Sequence, residues 1–204
     1  DCFSSDLIQI DVGPEDTRRI FRVHEGVLCH YSGYFKGALR GDFIEAKTKH
    51  IQLATEDPDI FTIFVYWLYT RRMPPSIPAT MDANSDFLPI CQLWVFADAR
   101  SIPRLQNEAM DALIKAANDS ATVPTALIPY VYGNTLASSP LRRVLIDSVS
   151  KAASRTVLRN TSIWTKEALI DLAGVLWANH PVYGDHLGPK KLRSSDYYVI
   201  DGDK

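Results

Sequence analysis

The chain has 204 residues, enough for one generous domain or for a domain with a helical extension. Its hydrophobic fraction of 46 % and charged fraction of 23 % are those of an ordinary globular protein and exclude a disordered tail. A net charge of −2, from 22 basic and 24 acidic residues scattered along the chain, leaves no electrostatic footprint for nucleic acid or anionic lipid, so neither is expected as a partner.

Cys2, Cys29 and Cys91 are odd in number and far apart, which predicts reduced thiols in a cytoplasmic or nuclear compartment. The chain opens at Asp1 with no charged-then-apolar leader and reads as a trimmed piece of a longer protein. Leu7 to Val12 alternates, with Ile8, Ile10 and Val12 on one side and Gln9 and Asp11 on the other, the period of a half-buried strand. Gly13 to Asp16 is turn chemistry. Arg19 to His24 alternates again with Phe21 and Val23 inward, so the two runs are expected to pair as a hairpin.

Glu25 to Tyr31 and Ser32 to Leu39 read as two short helices, the second capped by Ser32 and turning Phe35, Ala38 and Leu39 inward. Gly41-Asp42 breaks the pattern, Phe43-Ile44-Glu45 is expected in a loop, and His50 to Leu53 makes a third strand. The predicted order is β-β-α-α-β-α. Asp57 caps a helix with Pro58 at its first position, and from Ile60 to Thr70 nearly every residue is large and apolar, which predicts a rod buried on all sides. At about 1.5 Å per residue it is too short to cross a bilayer. Arg71 and Arg72 suit its C-terminus, and Pro74-Pro75 stops it.

Met73 to Asn84 carries Pro74, Pro75 and Pro78 and is expected to be an exposed connection. A helix follows with Cys91, Trp94, Val95 and Asp98 at helical spacing, then another after Ser101-Ile102-Pro103 with a stripe of Leu105, Ala109, Ala112, Leu113 and Ala116. Asn118-Asp119-Ser120 reads as a breaker. Helices are predicted over Pro124 to Tyr132, over Pro140 to Ala153 behind the cap Ser139, and over Thr165 to Ala178. From His180 onward the text is polar and is read as a loosely ordered tail.

Five fragments in register resemble BTB/POZ domains of the fungal type: F-R-V-H-E-G-V-L-C-H-Y-S-G-Y-F from Phe21, G-D-F-I-E-A from Gly41, E-D-P-D-I-F from Glu56, W-L-Y-T from Trp67 and L-W-V-F-A-D from Leu93. The resemblance covers about Asp6 to Ala116. It implies an α/β (α+β) fold, a small sheet packed on a helical cluster and followed by an all-helical C-terminal extension. The domain boundaries expected are 1–119, 120–180 for the extension and 181–204 for the tail. It also implies protein-protein association without catalysis, and partners that include a cullin scaffold of a ubiquitin ligase or a second copy in a homodimer. Phe43-Ile44-Glu45 fits the family's hydrophobic-x-Glu docking element, and the candidate partner-binding residues are Phe43, Glu45 and Tyr34.

From the residues alone, Phe43 and Glu45 read either as a docking wedge or as a locally packed aromatic beside a solvated carboxylate. His24 is expected to bond backbone groups. His30, His50, His180 and His186 lack metal-ligand spacing, so no metal and no cofactor is expected. Phe64, Tyr66, Trp67 and Tyr69 are read as core. No nucleophile elbow, phosphate loop or dinucleotide fingerprint occurs. Besides a ligase adaptor, the sequence leaves a homo-oligomerising scaffold, and a hydrolase built around His180 or His186 in the second half.

Overall fold

Alternation of apolar residues at the start of the chain becomes β1 (Leu7–Val12), which pairs antiparallel with β2 (Arg19–His24) in the register Ile10 to Phe21. The computed structural model describes residues 4–74, 87–120, 125–151, 158–178 and 192–200. β3 (His50–Leu53) pairs parallel with β1 on its other side, Gln9 opposite His50, so the strand order is β2-β1-β3. Parallel pairing requires a crossover, and the helical segment between β2 and β3 supplies it. Ile8, Ile10 and Val12 are fully buried against the helices, with Val23, Ile51 and Leu53 beside them. Gly13 leaves β1 at φ 95°, and a Cβ there would lie 2.8 Å from the Pro58 ring, so only glycine fits where the sheet meets the next layer.

Asp11 was expected on the wet side of a half-buried strand, yet the structure buries it. β1 is the central strand, and side chains from both neighbouring segments close over it. Gln9 Nε2 donates to Asp11 Oδ1 at 3.0 Å, His50 Nε2 makes a poorly aligned 3.2 Å contact with the same oxygen, and Arg18 stands 3.9 Å from Oδ2. The Gln9 hydrogen bond, helped by His50 and Arg18 and opposed by burial, holds the Asp11 carboxyl below its ordinary value. A depressed folded-state value means that ionised Asp11 stabilises the fold at neutral pH and that this contribution is lost as pH falls through and below about 4. Urea midpoints measured from neutral to acid pH should therefore fall less steeply for Asp11→Asn than for wild type; parallel acid limbs would refute this.

α1 (Glu25–Tyr31) and α2 (Gly33–Arg40) form the helical hairpin that the sequence predicts. Ser32 Oγ accepts the Phe35 N–H at 3.1 Å and donates to the Arg100 carbonyl at 2.7 Å, so one buried hydroxyl caps α2 and ties it to a helix end far along the chain. Of the Phe43-Ile44-Glu45 stretch expected in a loop, only Phe43 lies in one. Ile44–Thr48 is a short helix, α3, which makes the order β-β-α-α-α-β-α. Its end is set by Lys49, left-handed at φ 53°, whose N–H reaches the Glu45 carbonyl.

α4 (Pro58–Thr70) starts where Asp57 accepts the Asp59 N–H at 2.8 Å. It buries Ile60, Phe61, Ile63, Phe64, Trp67 and Leu68, but not every side: Thr62, Tyr66, Tyr69 and Thr70 are exposed. The expectation that Tyr66 and Tyr69 belong to the core is corrected, because a phenol tolerates water at its polar end. The Tyr69 hydroxyl accepts the His24 backbone N–H at 3.1 Å and lies 2.8 Å from His24 Nδ1, so the imidazole meets a side-chain phenol where a backbone partner was expected. Arg71 closes α4 in a left-handed conformation and stacks its guanidinium 3.3 Å above the Tyr31 ring.

α5 (Phe87–Ala99) and α6 (Pro103–Ser120) pack as an antiparallel pair, and α6 runs through the predicted breaker to Ser120. Trp67 Nε1 donates to Glu108 at 2.6 Å, joining α4 to α6. Most of the expected Met73 to Asn84 connection, residues 75–86, lies outside the described residues. A 3-10 turn at Thr125–Leu127 leads into α7 (Ile128–Asn134), followed by α8 (Pro140–Lys151) and α9 (Lys166–Ala178). Ser139 Oγ accepts the Leu141 N–H at 3.2 Å. The N-terminal half is thus a small mixed sheet packed with helices, and the C-terminal half is a helical extension. Their buried residues, from Ile8 to Tyr197, form one continuous apolar cluster. None of the described helices is long and apolar enough to cross a membrane.

Residues 192–200, part of the stretch assigned from sequence to a tail, lie on α6 and α8. Tyr197 is buried and donates to Asp147 at 2.6 Å, Tyr198 donates to Asp111 at 2.7 Å, and Asn107 exchanges two hydrogen bonds with the Val199 backbone.

Candidate partner-binding surface

Gly41 ends α2 because its amide reaches the Gly37 carbonyl at 3.1 Å and leaves no room for a side chain: a Cβ there would lie 2.8 Å from that oxygen and 3.1 Å from the Phe43 ring. The chain turns over this glycine and lays Phe43 beside it. One edge of the ring is supported, and the side chain as a whole stays 63 % exposed. Ile44 is 66 % exposed next to it. Sequence reading passed over Ile44 as a site residue, since the variable middle position of a three-residue element carries no periodic signal.

Glu45 occupies the first turn of α3, where the unpaired backbone N–H groups favour a carboxylate. Among the described residues no hydrogen bond or ion pair engages that carboxylate, and it is half-buried beside the apolar pair. The combination is two exposed apolar side chains on a short, capped turn with one acid at their edge. Such a group can fill a small apolar pocket while its acid meets a donor on a partner.

Tyr34 sits elsewhere. It opens α2, whereas Phe43 follows its end, roughly 10 Å away along the helix axis. Its ring is 40 % exposed and lies beneath the Arg100 guanidinium at 4.9 Å, and Arg100 in turn pairs with Glu56 at 2.5 Å. Tyr34 therefore belongs to the junction of α2 with the end of α5, and Phe43 and Glu45 to the junction of α2 with α3.

Burial pushes the Cys91 thiol up to about 12 and raises Cys29 as well, so neither is an available thiolate at neutral pH. Among the described residues, no group of three or more His, Cys, Asp or Glu side chains comes close enough to hold a metal. His180 and His186, on which the hydrolase alternative was based, lie outside the described residues.

The stretch that builds this surface, from the sheet through α5, coincides with a family match over residues 8–95. The N-terminal part of the chain is a BTB/POZ domain. No curated protein matches the sequence. BTB/POZ domains mediate protein-protein interaction and oligomerisation and are typically non-catalytic, so the exposed apolar turn at Phe43 lies within a module whose work is association. Tyr34, Phe43 and Glu45 all fall inside the matched residues, and the helical extension α7 to α9 falls beyond them.

Proposed function

We propose that the protein is a non-enzymatic adaptor whose BTB/POZ domain docks the scaffold of a cullin-type ubiquitin ligase through Phe43, Ile44 and Glu45. The outward display of Phe43 on a capped turn, with an unpaired acid two residues on, is the observation that carries this reading. Tyr34 forms a second edge of the docking surface, and residues 120–180 hold the client. The likeness to the fungal type rests on the five motifs in register. The buried, unreactive thiols support a cytoplasmic or nuclear setting.

Phe43→Ala combined with Glu45→Ala should weaken binding to a purified cullin N-terminal region by about 30-fold or more in calorimetry, the loss expected for one hot spot of about 2 kcal/mol, with an unchanged melting temperature. Unchanged affinity would remove the wedge. The second reading, a homo-oligomerising scaffold without a ligase link, is favoured by Leu7 and Ile20, which are exposed on the sheet. Self-association without any cullin binding would establish it in place of the first.

A further inference from the structure

The segment 192–200 lies across α6 and α8, and four polar side chains of those helices engage it. Asn107 and Asp111 share one face of α6 at i, i+4 spacing, and Arg143 and Asp147 share one face of α8 in the same way. Asn107 reads main chain alone: its Nδ2 donates to the Val199 carbonyl at 3.1 Å and its Oδ1 accepts the Val199 N–H at 2.8 Å. Asp147 accepts the buried Tyr197 hydroxyl and Asp111 the exposed Tyr198 hydroxyl. Arg143 donates to the Asp196 carbonyl at 3.4 Å, and its guanidinium stands 5.8 Å from the Tyr197 ring centroid.

We propose that the groove between α6 and α8 is a binding site for a tyrosine-bearing linear segment of a partner protein, and that residues 192–200 occupy it in cis. Peptide-binding grooves draw affinity from main-chain hydrogen bonds and specificity from a pocket for a side chain. Asn107 supplies the first and the pocket ended by Asp147 supplies the second. The occupant makes one turn at Ser194–Tyr197 and leaves it extended at Tyr198, a shape that a linear segment adopts without a fold around it. Among residues 192–200 only Tyr197 is buried, and Ile200 is 89 % exposed. One anchor and a few polar bonds hold the segment, so it opens locally long before the core does.

The two carboxylates also set which tyrosine is accepted. Each takes a proton from a phenol and repels a phosphate in its place, so the site selects unmodified tyrosine. The inference deepens the reading that the extension holds a client, and rests on that reading for the need of an outside segment. Docking at Phe43 plays no part in it, because all four groove residues lie beyond residues 8–95.

The probe is a labelled peptide with the sequence of residues 192–200, followed by fluorescence anisotropy on the full chain with no cullin present, which keeps the result independent of the Phe43 surface. A strap variant, Tyr197→Ala with Tyr198→Ala, should bind the peptide about 10-fold or more tightly than wild type, whose own segment competes from a local concentration of about a millimolar. Adding Asn107→Ala to that variant, or a phosphate to the first tyrosine of the peptide, should weaken binding by about 10-fold or more. Tyr198→Ala alone, which removes only an exposed contact, should show a smaller gain in the same direction and covers a failure of the double variant to fold. Equal binding to wild type and strap variant, binding to neither, or indifference to Asn107→Ala would overturn the proposal. Self-association of wild type that Tyr197→Ala abolishes would also overturn it, by giving the groove to the strap of a second copy.

Discussion

Phe64→Ala is expected to lower the unfolding free energy by about 3–5 kcal/mol, the cost of emptying a large aromatic site in a packed core. Phe64 is fully buried at the centre of α4. Its ring lies 5.0 Å from Phe96, 5.4 Å from Phe61, 6.2 Å from Phe35 and 6.4 Å from Trp67, so it touches α2 and α5 as well as its own helix. No neighbour can move into the space without leaving its own partners, and the cavity should persist. Against a typical net stability of about 5–15 kcal/mol, such a loss leaves a marginal fold. Urea titration followed by circular dichroism would read it; a loss under about 1 kcal/mol would mean that α4 is not the centre of the core.

A second large effect is expected at Arg142, a buried cation in the helical extension. Its Nη2 donates to the Tyr132 carbonyl at 2.8 Å and to the Thr135 carbonyl, its Nε donates to Thr135 Oγ1 at 3.0 Å, and its plane lies 4.4 Å from the Tyr132 ring centroid. These bonds satisfy the carbonyls at the end of α7, which the helix itself leaves open. Arg142→Met keeps the volume but strands at least two buried acceptors, at about 1–3 kcal/mol each. Arg142→Lys should rescue little, since an ammonium cannot match the planar fork. Thermal unfolding should show both variants well below wild type; a lysine variant as stable as the parent would show that charge alone suffices there.

Arg142 also shows where sequence reading stops. The apolar face of α8 was legible from Leu141, Val144, Leu145 and Val149 at helical spacing, but nothing local marks the arginine among them as buried, because its acceptors lie on another helix. Strand periods, the Ser32 and Asp57 caps and the limits of α4 were legible for the opposite reason: each depends on residues a few positions apart. α3 was missed because five residues are too few for a period and its C-terminal turn uses Lys49 where a glycine would have announced it. The exposure of Tyr66 and Tyr69 was missed because hydrophobicity weighs a phenol like a core residue and ignores where its hydroxyl points. At the surface, Phe43 and Glu45 were legible as a motif, while the exposure of Leu169 and Ile170 on α9 was not, because hydrophobicity alone does not say which residues of an apolar helix face the core.

The parallel pairing of β3 with β1 constrains the route by which the sheet is completed. β1 and β2 can zip together as soon as both have left the ribosome, since only a short turn separates them. The other edge of β1 has no mate until the chain has been extended past Leu53 and the intervening helices have drawn its two ends together. Until then the nascent hairpin carries a bare row of amides and carbonyls beside Ile8, Ile10 and Val12, the kind of edge on which foreign strands add. The fold is most vulnerable to aggregation in that interval during synthesis, before any of its docking surfaces exists.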